Sequence, residues 1–237
     1  MEKKLSKLYY TAIQDYGLLK NGDKILLGLS GGKDSLILLQ MLAKSLAYPK
    51  LDIEVIAVHI SMNNIDYGVD MEYLQNLCDG YNISFINEVC SFEPSNKKDV
   101  CFLCSWTRRK ALFEIAKEHK CNKIALGHHK DDILETLLMN MMFQGSISTI
   151  PPSLTMDKFD QTLIRPLCLM EEKDIVIWAE ENNISKPIKL CPYEKQSKRV
   201  EARKLLEQMA KLSPGVKSNL WNSMQNVMPD YLPKKMH

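Results

Sequence analysis

Six consecutive residues, Ser30-Gly31-Gly32-Lys33-Asp34-Ser35, carry the groups needed to hold a polyphosphate. Two glycines allow a sharp turn and put no side chain in the way of a ligand. Amides at the start of a helix form an anion site. Ser30 and Ser35 add hydroxyls, Lys33 a mobile cation, and Asp34 a carboxylate able to hold a divalent metal. Ile25–Leu29 before the turn is continuously apolar, as in a parallel strand covered on both faces. Leu36, Leu39, Met41 and Leu42 recur at helical spacing after it. Strand, glycine turn and helix together position the six residues. The G-x-x-x-x-G-K-[ST] spacing of a Walker loop is absent, and so is the G-x-G-x-x-G of a dinucleotide fold.

Sulfur chemistry gathers at Cys101-x-x-Cys104, which opens a helix. This spacing lets two thiolates reach one metal, and helix amides stabilise their charge. The pair suits a redox site, zinc or an iron–sulfur cluster. Structural zinc takes four protein ligands, and there is no second CxxC. The best third thiol is Cys191, in the polar, basic loop Lys189-Leu190-Cys191-Pro192. Cys78, Cys90, Cys121 and Cys168 read as small buried apolar residues.

A further cluster, His128, His129, Asp131 and Asp132, follows the short strand Lys123–Leu126 and Gly127. It can position Mg²⁺ or move protons. Asp131 or Asp132 can equally serve as a helix N-cap. Lys33, Arg108 and Arg109 can each neutralise phosphate charge, and His59 and Ser61 end a second strong strand, Ile53–Ile60.

The elements alternate. After the second strand come a helix at Met71–Gly80, a strand at Ser84–Val89, a polar loop at Pro94–Val100 and a helix at Trp106–His119. A nearly all-apolar helix spans Asp132–Phe143, Gly145–Pro152 is a loop, and Thr162–Arg165 is a last short strand. Helices follow at Glu171–Asn182, Arg199–Leu212 and Asn219–Val227. Strand–helix alternation with right-handed crossovers predicts an α/β doubly wound parallel sheet, here with a small helical C-terminal appendage. Ligands then bind beyond the carboxyl ends of the strands. We divide the chain into an N-terminal helix (1–22), a nucleotide-binding domain (23–184) and a basic C-terminal segment (185–237).

The 237 residues, 45% hydrophobic and 25% charged, suit one sizeable domain with an appendage. No apolar run approaches the ~20 residues of a membrane helix. The charged, amphipathic opening lacks a signal-peptide core, so a cytoplasmic protein is expected. In that compartment seven cysteines point to metal or catalytic sulfur before disulfides. The net charge is only +2, but residues 186–217 hold nine Lys and Arg against three Glu. That surplus suits a polyanionic partner or, alternatively, a solvated helix face with local ion pairs.

The SGGKDS loop resembles that of the ATP pyrophosphatase superfamily, whose members cleave ATP between its α- and β-phosphates. Alone it would also admit tRNA lysidine, GMP and NAD synthetases. Together with CFLCSWTRRKAL (101–112), KIALGHHKDDILETLLMN (123–140), LIRPL (163–167), Cys191 and SMQNVMPDYL (223–232), it is similar to the tRNA 2-thiocytidine synthetases. The resemblance covers about Leu18 to Pro229.

The resemblance implies an adenine nucleotide alpha hydrolase-like fold and a sulfurtransferase that uses ATP to thiolate an anticodon-loop cytidine. It implies a [4Fe–4S] cluster on Cys101, Cys104 and Cys191, and ATP on Ser30, Gly31, Gly32, Lys33, Asp34 and Ser35. The base would lie near His59, Gly127 and His128. Asp34 and Asp132 would hold Mg²⁺, with Lys33, Asp34, Asp132 and Arg108 as catalytic groups. Arg108 stands where some relatives have a lysine. Partners would be tRNA and a cysteine desulfurase as sulfur source, and a homodimer is left open. Thiolation of another tRNA base, a cluster-independent adenylating enzyme, a nucleotide-binding RNA scaffold and a structural zinc protein are the rivals.

Overall fold

The structure, a computed structural model, describes residues 1–47, 51–63, 68–92, 100–156, 159–184 and 198–233. Most of the polar loop after Pro94 and the loop with Cys191 lie outside the described residues.

In chain order the elements are α1 (Glu2–Tyr16), β1 (Asp23–Gly28), α2 (Lys33–Leu46), β2 (Ile53–Met62), α3 (Met71–Gly80), β3 (Ser84–Cys90) and α4 (Val100–Glu118). Then follow β4 (Lys123–Ala125), α5 (Lys130–Gln144), β5 (Ser153–Thr155), β6 (Thr162–Ile164), α6 (Glu172–Glu181), α7 (Lys198–Leu212) and α8 (Val216–Ser223). A single 3-10 turn at Pro229–Tyr231 ends the described chain.

The strands form one sheet in the order β3-β2-β1-β4-β6-β5. All neighbours are parallel except β5, which pairs antiparallel with β6. The sequence gives no sign of β5: three exposed residues beside two prolines carry no period. Three helices move from their expected bounds. The helix expected from Trp106 begins at Val100, so the cysteine pair lies inside its first turns, the helix expected from Asp132 begins at Lys130, and the one expected at Asn219–Val227 spans Val216–Ser223.

The chain forms two compact units, Met1–Lys130 with Pro151–Gln196, and Asp131–Ile150 with Ser197–His237. The first holds the whole sheet. Its central strand β1 contributes Ile25, Leu26 and Leu27, all fully buried. Right-handed crossovers put α2 and α3 on one face and α4 on the other. Cys104, Ala111, Ile115 and Ala116 of α4 pack on Leu26, Val58, Ile60 and Ile124 of the sheet. On the α2 side, Tyr9 of α1 is buried and bonds Ser45 at 2.9 Å. Trp178 of α6 donates to Gln40 of α2 at 3.1 Å, and Lys4 of α1 pairs with Asp174 of α6. These bonds fix the start of α6 beside the start of α2.

At the amino ends of the strands, buried Asp23 accepts from Lys123 Nζ at 2.6 Å, the Lys20 amide at 2.6 Å and Asn122 Nδ2 at 2.8 Å. Lys123 also donates to the Leu18 carbonyl at 2.7 Å. An ion pair so fully hydrogen-bonded ties β1 to β4 far from the loops that carry the chemistry.

The second unit packs α7 and α8 together with α5 from Asp131 onward, and Ala202, Leu206 and Trp221 are its buried anchors. No described helix is long and apolar enough to cross a membrane.

Candidate active site

The order of strands reverses at β1: α2 leads to β2 on one side, while β4 lies on the other. In open α/β sheets this switch point is where a ligand crevice forms. The loop Ser30–Gly32 enters it from β1. Gly31 has φ +80°, and a Cβ there would stand 2.8 Å from Val69 Cγ1, so glycine is required twice over. Ser35 Oγ donates to the Gly32 carbonyl at 2.9 Å, and Ser30 Oγ to Ser35 Oγ at 3.2 Å. The loop is thus braced from within; the Ser35 amide already donates to the Gly32 carbonyl at 3.0 Å, and the amides of Lys33 and Asp34 ahead of it are the ones that an incoming anion meets.

Gly127, after β4, closes the other wall. A Cβ on it would lie 3.0 Å from the backbone carbon and oxygen of Asp34. His129 Nε2 stands 3.9 Å from Asp34 Oδ1. Lys33 Nζ lies 3.1 Å from Asp34 Oδ1, 3.2 Å from Asp34 Oδ2 and 3.2 Å from Glu172 Oε1. Burial alone would lower the Lys33 pKa, but the charges and hydrogen bonds of Asp34 and Glu172 outweigh it and hold it above the ordinary lysine value. The lysine is therefore a permanent cation there. Glu172 is the residue of this group that the sequence did not reveal. It stands 139 positions from Lys33, and an acidic first turn of a helix has an ordinary explanation in the dipole.

A small cavity of about 150 Å³ opens beside the loop, lined by Ser30, Val58, His59, Ile60, Arg108 and Leu126 among others. His59 is 4% exposed, and its Nδ1 is 2.8 Å from the Leu29 carbonyl. A carbonyl only accepts, so Nδ1 carries the proton. Burial, together with the Arg108 charge, holds the imidazole below its usual pKa despite that hydrogen bond. It is neutral at pH 7, and Nε2 is a lone-pair acceptor.

Cys101 and Cys104 sit in the first turns of α4, three residues apart and so on one side of the helix; Cys101 is exposed and Cys104 buried. None of the six described cysteines is in a disulfide. Burial pushes the thiols of Cys78 and Cys168 up to about 11 and about 12, and raises those of Cys90 and Cys121. Burial thus favours the protonated thiol at all four. Among the described residues no group of three or more His, Cys, Asp or Glu could hold a metal. The CxxC pair supplies two thiol donors of the kind an iron–sulfur cluster needs, and Cys191 lies outside the described residues.

Asp131 and Asp132 belong to the second unit and lie inside the first turn of α5, where they are not N-caps. Lys217 pairs with Asp131, and Arg199 Nη1 is 3.9 Å from Asp132. Arg203 Nε donates to the buried Glu135 at 2.8 Å. Three cations of the basic segment are thus engaged by carboxylates of α5, which narrows its expected role as a polyanion grip. Lys204 and Lys211 remain exposed. Half-buried His128 follows Gly127 at the end of the β4 loop.

A family model described as a PP-loop domain matches residues 1–186. A protein of Francisella philomiragia subsp. philomiragia named tRNA-cytidine(32) 2-sulfurtransferase 1 is 39% identical over 236 residues, covering 98% of this chain and 92% of the relative. One of Francisella tularensis subsp. tularensis, named tRNA-cytidine(32) 2-sulfurtransferase 2, is 39% identical over 239 residues, covering 99% and 95%. Among solved structures, the U34-tRNA thiolase NcsA from Methanococcus maripaludis with its [4Fe-4S] cluster superposes with a TM-score of 0.77 at 25% identity, over 98% of this chain and 81% of that one.

Proposed function

Since the chain belongs to the PP-loop family, among the tRNA-cytidine(32) 2-sulfurtransferases, we propose that it uses ATP to replace the C2 oxygen of an anticodon-loop cytidine of tRNA by sulfur. The observation that carries this function is the make-up of α4. One helix brings the thiol pair Cys101 and Cys104 at its start and, four residues on, Arg108 in the wall of the cavity beside the phosphate loop. Nucleotide activation and sulfur chemistry thereby share one rigid element. The cytidine relatives at 39% identity favour that base over the uridine of the NcsA neighbour at 25%.

ATP lies with its phosphates on Ser30–Ser35 and its base in the cavity beside His59, near Gly127 and His128. The cytidine O2 attacks the α-phosphorus, the α–β bond breaks, and pyrophosphate leaves against the α2 amides and Lys33. Adenylation makes the C2 oxygen a good leaving group, and AMP departs with it when sulfur adds at C2. Asp34 would hold Mg²⁺, which needs only one or two protein carboxylates in such sites. Arg108 offsets the charge that develops on the α-phosphate. Asp132 is a second candidate carboxylate, tested separately by Asp132→Ala. Cys101, Cys104 and Cys191 would hold a [4Fe–4S] cluster, which would supply the sulfur-carrying chemistry. A cysteine desulfurase is the source of that sulfur, and exposed cations of residues 185–237 grip tRNA phosphates.

The test is nucleoside mass spectrometry of tRNA incubated with anaerobically prepared protein, ATP, Mg²⁺ and sulfide. The expected product is 2-thiocytidine, formed with AMP and pyrophosphate. 2-Thiouridine in its place would move the substrate to the uridine branch, and unmodified tRNA would reject the function.

A further inference from the structure

On the outer face of α4, away from the phosphate loop, lies a cavity of about 540 Å³. Trp106, Phe113 and Phe159 form its apolar surface, and Arg109, Lys110 and Lys117 bring positive charge to it. Phe159, from the turn between β5 and β6, stacks on Phe113 with centroids 4.4 Å apart and planes 25° from parallel. Lys110 Nζ stands 5.7 Å from the Trp106 ring centroid. Trp106 is 54% exposed, whereas Trp178 and Trp221 are 2% and 7% exposed. A tryptophan left open to water beside three cations has no role in the core of this unit.

We propose that this α4 face is a stacking site for unpaired bases of the RNA substrate. The inference rests on the tRNA reading given above and adds where the RNA lies. Aromatic faces with interleaved Lys and Arg are what single-stranded nucleic acid requires: rings for the bases, cations for the phosphates. The only carboxylate in the lining is Glu114, which Lys110 pairs at 3.5 Å, so the face keeps a positive surplus. A second copy of this chain is the poorer occupant. A two-fold interface would set Arg109, Lys110 and Lys117 against their own equivalents, and like charges repel. The face also shares its helix with the thiol pair, and Trp106 lies two residues beyond Cys104.

The full chain, titrated with a tRNA transcript and followed by filter binding and tryptophan fluorescence, tests this. Wild type should bind with quenching, because Trp106 is the exposed one of the three tryptophans. Trp106→Ala should weaken binding by roughly fivefold or more, the loss of one base–aromatic stack, and Trp106→Phe should retain the affinity. Arg109→Gln and Lys117→Gln should each flatten the salt dependence by about one unit of slope. Unchanged affinity in Trp106→Ala would overturn the site while leaving the tRNA function standing. Absence of any tRNA binding by wild type would overturn both. A dimer in wild type that Trp106→Ala dissociates would assign the face to a second copy and overturn the proposal.

Discussion

Gly127 and Asp34 meet so closely that there is no room for a side chain on the glycine: its missing Cβ would stand 3.0 Å from the Asp34 carbonyl group. The loop after β4 is therefore seated on the first turn of α2. Gly127→Ala must push that turn aside. Displacing positioning groups by up to an ångström costs up to about 100-fold in rate, so we expect kcat/KM for ATP to fall roughly 10- to 100-fold while the protein stays folded. Pyrophosphate-release kinetics and a melting curve check both parts.

Lys33 owes its raised pKa to Asp34 and Glu172, against the effect of burial. A raised lysine pKa means that its ionic contribution is whole below the ordinary value of 10.5 and is lost as pH climbs through the folded one. Glu172→Gln removes one of the two supports and should move the alkaline fall of activity to lower pH. Lys33→Ala should lower kcat by about 10²–10³-fold, as for loss of one preorganised charge donor. A pH–rate profile of pyrophosphate release reads both variants.

With Nδ1 bound to the Leu29 carbonyl, His59 offers Nε2 as an acceptor beside the cavity. An acceptor favours the exocyclic amine of adenine over the keto oxygen of guanine, so wild type should prefer ATP to GTP. Purine riboside triphosphate, which lacks the amine, should also bind less tightly than ATP. His59→Leu should narrow these preferences. The lowered pKa keeps the imidazole neutral at pH values where a free histidine would be charged, so selectivity should persist to a pH below the ordinary 6.5. Calorimetric titration with the three nucleotides checks this.

The glycine loop was legible because its glycines, lysine and aspartate are adjacent in sequence and sit between a continuous apolar run and a helical period. The partnership of Lys33 with Glu172 was not, because it depends on Trp178 and Asp174 docking α6 against α2 and α1. Strand β5 escaped notice for the opposite reason: three residues are too few to show an alternation, and only pairing with β6 makes them a strand. The basic C-terminal segment read as a polyanion grip from its charge count. Counting charges cannot tell that Arg199, Arg203 and Lys217 face carboxylates of α5. Cys101 and Cys104 could be placed at a helix start from spacing alone, though the helix begins earlier than its apolar pattern suggested.

Glu135 is 1% exposed, and burial raises its pKa even though Arg203 donates to it. Arg203→Ala leaves that carboxyl buried without its donor, at a cost of about 1–3 kcal/mol. A raised carboxyl pKa favours the fold below its ordinary value of 4.5 and penalises it as pH rises through the folded one. The loss in Arg203→Ala should therefore shrink as the pH approaches 4.5, and Glu135→Gln in the same variant should recover part of it at pH 7. Denaturant melts at the two pH values measure this.

Coupling of ATP cleavage to cluster-held sulfur through one helix is tested by an anaerobic assay of iron, sulfide, pyrophosphate and tRNA thiolation on wild type and Cys104→Ala. Wild type should carry about four irons and four sulfides and release one pyrophosphate for each 2-thiocytidine made. Cys104→Ala should lose the iron and the thiolation while still binding ATP. Full thiolation by iron-free protein, or by Cys104→Ala, would rule that coupling out.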